Sequence, residues 1–198
     1  IPVFLVDRSV DANLAKPGVD YVAFIGSDFK KEGQMAGEWL VKQVGGNAKM
    51  NLEVSLMLDT TGSMTSLIEG AKRKIWSIAT AIVDSNPDAD IRMGLVAYRD
   101  IGDDYVTRKI DLTTDIQDLY ANLLELKARG GGDWPESVNE ALDVAVNKLQ
   151  WTQGGDTRRI VFLVGDAPPH MDYPDDVKYP QTLALAADKG IVVNTIQC

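Results

Sequence analysis

The sequence is short of the residues on which much chemistry depends. It has one cysteine, Cys198, and one histidine, His170. A lone cysteine excludes an intramolecular disulfide and leaves the redox compartment undecided. A lone histidine argues against a multi-histidine metal site and gives a Ser-His-Asp hydrolase little support. No apolar run approaches the roughly 20 residues of a membrane span. No Gly-x-Gly-x-x-Gly or Gly-x-x-x-x-Gly-Lys pattern lies between a strand and a helix, so a nucleotide site is not expected. Basic charge is scarce as well: 20 Lys and Arg face 29 Asp and Glu, for a net charge of -9. That balance argues against nucleic acid or an anionic membrane surface as the main partner. The chain opens on Ile1-Pro2 with no basic segment before its first apolar run, so no signal peptide is expected in it and the protein reads as soluble.

What is present is an ordinary α/β pattern. At 198 residues the chain suits one domain or one and a fraction, at roughly 150 residues each. Short apolar runs at 3–6, 21–25, 54–58, 94–98, 160–164 and 191–196 read as strands, most of them apolar on consecutive positions, as in a parallel sheet covered on both faces. The run from Val106 to Leu112 is more polar and partly alternating, which suits a sheet edge. Leu67, Ala71, Ile75, Ile78 and Ile82 form one helical stripe; Val138, Ala141, Leu142, Ala145 and Leu149 form another, behind Pro135. Met35, Ala36, Trp39, Leu40 and Gln43 trace a third, closed by Gly45-Gly46. Shorter helices are expected around 119–124 and 181–188. Alternation of strand and helix predicts a Rossmann-like three-layer fold: a mostly parallel twisted sheet flanked by helices.

The most informative stretch is Leu58-Asp59-Thr60-Thr61-Gly62-Ser63. A buried strand ends at Asp59 and a helix begins a few residues later. Asp59, Thr61 and Ser63 are spaced by two, so a turn can aim three side-chain oxygens at one point, and such oxygens suit a hard divalent cation. The same residues also suit a helix N-cap. Two further segments bear on the choice. The strand 161–165 ends in Asp166, and in an open parallel sheet the carboxyl ends of strands share one rim. The loop Gly130-Gly131-Gly132-Asp133-Trp134-Pro135-Glu136 brings two more acids just ahead of a helix. Asp100, Asp103 and Asp104 suit either a second cation or an acidic surface loop. His170 reads as a partner contact or an exposed loop residue, and Trp134 as a contact residue or a packed loop anchor.

Asp59-x-Thr61-x-Ser63, the later acidic loop and Asp166 resemble the metal-ion-dependent adhesion site of von Willebrand factor A (VWA) domains. The resemblance runs from about 52 to 198 and includes Gly94–Asp100 and Phe162–Pro169, which are similar to a bacterial branch. It implies a non-catalytic, protein-binding domain holding Mg2+ or Mn2+, with Ca2+ also compatible, and a partner that supplies a carboxylate. By that resemblance Thr61 and Ser63 would hold the metal directly through their hydroxyls, and Asp59 and Asp166 directly or through water. The usual second-loop threonine is absent. Asp133-Trp134-Pro135-Glu136 is similar instead to the loop found in the A-like domains of integrin β subunits, which implies Glu136 as a ligand and Asp133 as a supporting or second-cation residue. VWA domains usually continue into a last helix, so Cys198 is expected to be a truncation point.

The first 49 residues carry a different resemblance. Ile1–Arg8 and Gly26–Leu40 are similar to the middle of a periplasmic sugar-binding protein of the ribose type, where a pair like Asp7-Arg8 binds sugar hydroxyls. The rest of such a cleft is missing, so Asp7 and Arg8 would be vestigial. A seam around 47–53 then suggests a chimera, engineered or recombined, with the amino-terminal segment packed on the main sheet in one folded unit. The parent fragments suggest a bacterial periplasmic or cytoplasmic origin. Other readings are a scaffold with an inert site and no native function, a sugar-binding fragment, and a haloacid-dehalogenase-like phosphatase. The last lacks its usual second aspartate, because Thr61 stands there, and no convincing general base is in sight.

Overall fold

The computed structural model describes residues 4–6, 23–25, 51–85, 89–154 and 156–198. Strand β3 (Asn51–Asp59) is the spine. After its first residue every position is buried, because it has strands on both sides and helices on both faces. β4 (Asp90–Tyr98) and β6 (Thr157–Gly165) pair with it in parallel, and β7 (Ile191–Gln197) extends the sheet beyond β6 in parallel. β5 (Thr107–Thr113) runs antiparallel to β4, giving the order β5-β4-β3-β6-β7. The polar run at 106–112 is thus an edge strand, as its alternation predicts.

Successive β3 side chains point to opposite faces, and the two cores divide accordingly. Leu52, Val54, Leu56 and Leu58 meet Ile68, Ala71, Ile75, Ile78 and Ile82 of α1 (Ile68–Ser85) and Leu119 and Leu123 of α2 (Ile116–Glu125). On the other face Met57, Val96, Tyr98 and Val161 meet Val138, Ala141 and Leu142 of α3 (Val138–Asp143) and Ala186 of α4 (Tyr179–Asp188). The expected single helix through Leu149 instead widens into a π-turn over Val144–Lys148. That register keeps Val144, Ala145 and Val146 buried together.

β1 (Phe4–Val6) and β2 (Ala23–Ile25) pair in parallel with each other, in a sheet of their own. The helix expected over 35–43 and the Asp7-Arg8 pair lie outside the described residues, as does most of the segment 1–49 expected to pack on the main sheet. No described helix is long and apolar enough to cross a membrane.

The topology also fixes where chemistry can occur. The chain runs from β3 to β4 on one side, and later returns to place β6 on the other. The carboxyl ends of β3 and β6 therefore border the switch point of the sheet, where open α/β folds bind ligands. A cavity of about 450 Å³ lies at the opposite end of the sheet among Leu149, Trp151, Arg159 and Gly190.

Candidate metal centre

Three loops meet above the ends of β3 and β6. Asp59 is the last residue of β3 and is fully buried. Its Oδ1 accepts from the Thr61 backbone N–H at 2.9 Å and from the Thr61 hydroxyl at 2.7 Å. The Thr61 and Ser63 hydroxyls lie 3.1 Å apart, and Ser63 donates to Asp166 Oδ1 at 2.9 Å. Asp59, Thr61, Ser63 and Asp166 thus form one connected row of oxygens. Thr61 does occupy the N-cap position of the short 3-10 turn Gly62–Ser66, yet its side chain makes no capping bond. Its hydroxyl turns back toward Asp59, so capping does not account for the motif.

The glycine-rich loop closes the rim from above. Gly62 N–H donates to Gly130 O at 2.9 Å, and Arg129 N–H to Thr60 O at 3.0 Å. Gly130 and Gly131 both have positive φ, 75° and 76°, a conformation that costs glycine little. A side chain on Gly131 would meet Glu136 Oε1 at 3.0 Å and Thr61 Cβ at 3.4 Å, so Glu136 and Thr61 are near neighbours across the loop. Glu136 is held from behind: its N–H donates to Pro168 O at 2.9 Å, and His170 N–H donates to its carbonyl at 3.1 Å. Gly165 allows the close approach beneath, since a Cβ there would sit 2.5 Å from the Tyr98 hydroxyl and 3.1 Å from Asp59 Cβ.

The electrostatics of this rim are those of a negative hole. Glu136 is 2% exposed. Burial, then the charge of Asp59 and more weakly those of Asp100 and Asp103, push its carboxyl up to about 8, with Thr61 pulling the other way. Asp59 rises to about 6, chiefly through burial and, in smaller part, the charge of Asp166, against its bonds from Thr61. The Tyr98 hydroxyl rises well above its ordinary value through burial and the same carboxylates. Asp59 Oδ2 and Glu136 Oε2 are buried without a hydrogen-bond partner among the described residues. A buried unpaired polar atom costs about 1–3 kcal/mol. Carboxylate and hydroxyl oxygens with two such orphans fit a hard divalent cation. The residues singled out from the sequence, Asp59, Thr61, Ser63, Glu136 and Asp166, converge on this rim.

Asp133 points elsewhere. It joins Asp100 and His170 in a second group whose ligand-type atoms lie within 4.8 Å of one another. His170 is 3% exposed, which rules out its reading as an exposed loop residue. Its Nε2 lies 3.5 Å from Asp100 Oδ2 and 3.4 Å from Asp133 Oδ1, and its Nδ1 lies 2.8 Å from Asp172 Oδ1. Burial lowers the affinity of the ring for a proton, but the bond to Asp172 and the charges of Asp100, Asp172 and Asp133 outweigh it and raise the pKa overall. Asp100 is likewise buried and accepts from Ser137 Oγ and Tyr173 OH, both at 2.8 Å. Asp103 braces the glycine loop by accepting from Gly131 N–H at 2.9 Å, and Asp104 pairs with Arg99 at 3.2 Å. Trp134 is 65% exposed, which rules out the packed-anchor reading. The importance of Asp100 had a signal available: like Asp59 and Asp166, it lies at or just past the end of a buried apolar strand.

Known proteins are similar to part of this chain. Over 123 residues the chain is 30% identical to an ariadne-like RING finger protein of Acanthamoeba polyphaga mimivirus, covering 60% of the chain and 11% of that protein. Over 122 residues it is 26% identical to an alpha-protein kinase of Dictyostelium discoideum, covering 60% of the chain and 19% of the kinase. The chain therefore spans only a small part of these relatives. A profile of the von Willebrand factor A domain matches residues 53–197, the segment that builds the five-stranded sheet and both clusters, and the chain belongs to that family.

Proposed function

We propose that the rim is a metal-ion-dependent adhesion site and that the domain is a non-catalytic module binding a protein ligand through one divalent cation. Asp59, Thr61, Ser63, Glu136 and Asp166 are the holding residues, and Mg2+ or Mn2+ is the ion, with Ca2+ also accommodated. The observation that carries this reading is the pair of buried, unpartnered oxygens, Asp59 Oδ2 and Glu136 Oε2, in a rim whose other donors and acceptors are linked. When bound, the ion supplies positive charge to which a carboxylate of the partner can attach. Ile101, Trp134 and Met171 are exposed on the loops of the same edge and offer apolar contacts beside that point. Neither nucleic acid nor a membrane surface suits the net charge of -9.

The family match begins at Glu53, within the seam expected at 47–53, and residues 1–49 lie outside it; we further propose that those residues have a separate origin. In that account the amino-terminal segment packs on the main sheet and the chain is a recombined or engineered chimera. A scaffold with an inert rim is the second reading. Electron paramagnetic resonance of Mn2+ separates the two. Protein stripped with chelator should quench the free-ion signal at about one equivalent, and a Thr61→Ala, Asp166→Ala variant should leave it unchanged. Equal quenching by the variant, or none by the folded parent, refutes the adhesion-site reading.

A further inference from the structure

Beside the rim, His170 is placed in a way that neither the fold nor the adhesion site requires. Its ring stacks on Tyr173, with centroids 3.9 Å apart and planes 12° apart. Its backbone is fixed by the bond from His170 N–H to Glu136 O and by Asn139, whose side chain donates to His170 O. Its Nδ1 faces Asp172 at 2.8 Å. A carboxylate at one ring nitrogen holds the proton there and leaves the lone pair on the other, the arrangement that orients metal-binding histidines. That other nitrogen, Nε2, is buried, has no hydrogen-bond partner among the described residues and faces two carboxylate oxygens. Lone pairs aimed at one another in a buried place are unfavourable unless a positive charge sits between them.

The spacing says which charge fits. Ligand atoms about 2.0–2.1 Å from a tetrahedral ion stand about 3.3–3.4 Å apart, whereas neighbouring ligands of an octahedral ion at that bond length stand about 2.8–3.0 Å apart. Nε2 lies 3.5 Å from Asp100 Oδ2 and 3.4 Å from Asp133 Oδ1, close to the tetrahedral figure. Imidazole nitrogen with carboxylate oxygen suits zinc better than magnesium. Asp100 is steadied by Ser137 and Tyr173, while Asp133 is 60% exposed, leaving a fourth position open to solvent.

We propose that Asp100, Asp133 and His170 form a Zn2+ site, separate from the adhesion-site cation and of different metal preference, with Asp172 orienting the histidine. Co2+ is the probe, because four-coordinate Co2+ absorbs visible light far more strongly than six-coordinate Co2+. The full chain, stripped with chelator and supplied with excess Mg2+ to fill the rim, is titrated with Co2+ and then with Zn2+. The expected result is an intense visible band complete near one equivalent and bleached by one equivalent of Zn2+. Asp133→Asn, at an exposed position, and His170→Gln should abolish the band. Asp172→Asn should weaken Zn2+ binding about 10–100-fold, and Thr61→Ala should leave the band intact. Circular dichroism reports folding of each variant, and Asp133→Asn decides if His170→Gln does not fold. The proposal is overturned by a folded parent that gives no intense band, which would leave only a proton at Nε2. It is equally overturned by a band that survives Asp133→Asn, or by one that Thr61→Ala removes.

Discussion

Replacing Glu136 by glutamine should move the stability of the domain and its response to cations in opposite directions. The usual glutamate value is 4.5, and in the folded protein Glu136 stands at about 8. An acid raised in this way contributes stability that is whole below its unfolded value and is lost as pH rises toward its folded value. At about pH 7 an ordinary glutamate has ionised while Glu136 still holds its proton, and holding it costs the cation-free fold about 3 kcal/mol. Glutamine has the shape of the protonated acid but no ionisation to forgo, and an imperfectly placed amide takes back about 1 kcal/mol. The cation-free variant should therefore be about 2 kcal/mol more stable at about pH 7, or about 4–8 °C in melting temperature for a domain of this size. Near pH 5 the difference should fall below about 1 kcal/mol. With excess Mg2+ the order should reverse, because only the parent gains stability from the ion. Melting curves of both proteins at the two pH values, in chelator and in Mg2+, make the test. Parent and variant melting alike in chelator at about pH 7, or differing equally at both pH values, would refute the reasoning.

Other perturbations separate the rim from the frame that carries it. Glu53, buried at the far end of β3, accepts from Arg92 at 2.6 Å and from the Thr152 N–H and hydroxyl at 2.9 and 2.6 Å. Glu53→Ala should cost about 3 kcal/mol in urea unfolding and leave cation affinity unchanged in protein that remains folded. Gly165→Ala forces its new methyl against Tyr98 and Asp59. It should cost about 1–3 kcal/mol and weaken Mn2+ binding measurably. Ile75→Ala empties a fully buried position between α1 and the sheet. A loss of about 3 kcal/mol is expected in the same unfolding assay, again without effect on the affinity of the folded fraction.

The frame was legible in the sequence because burial leaves a local signature. The runs at 54–58, 94–98 and 160–164 are apolar without alternation because both sheet faces are covered, while the mixed run at 106–112 marks an edge with one neighbour. The helical stripe from Val138 to Leu149 was legible as apolar spacing but not as geometry. Where α3 widens into the π-turn at Val144–Lys148, the same residues stay buried, so their pattern carries no trace of the extra residue per turn. Asp59, Thr61, Ser63 and Asp166 could be read because each sits at or just past a strand end, a place defined locally. Burial of His170 could not. It depends on residues 167–173 folding back over the start of α3, through the bridge between Glu136 and Pro169, a contact between distant segments with no residue pattern of its own. Asp133 illustrates the same limit: spacing placed it on the right loop, but only the fold shows that it faces Asp100 and His170 while Glu136, three residues on, faces Asp59.

The measurement closest to the central claim is calorimetric titration of chelator-stripped protein with Mg2+ at about pH 7, repeated in buffers of different ionisation enthalpy. A cation entering beside Glu136 must displace the proton that burial holds there, so about one proton should be released per ion bound. The account predicts saturation near one equivalent, an apparent heat that changes with buffer, and loss of both in the Thr61→Ala, Asp166→Ala variant. Binding with no proton released, or binding undiminished in the variant, would place the ion elsewhere and contradict it.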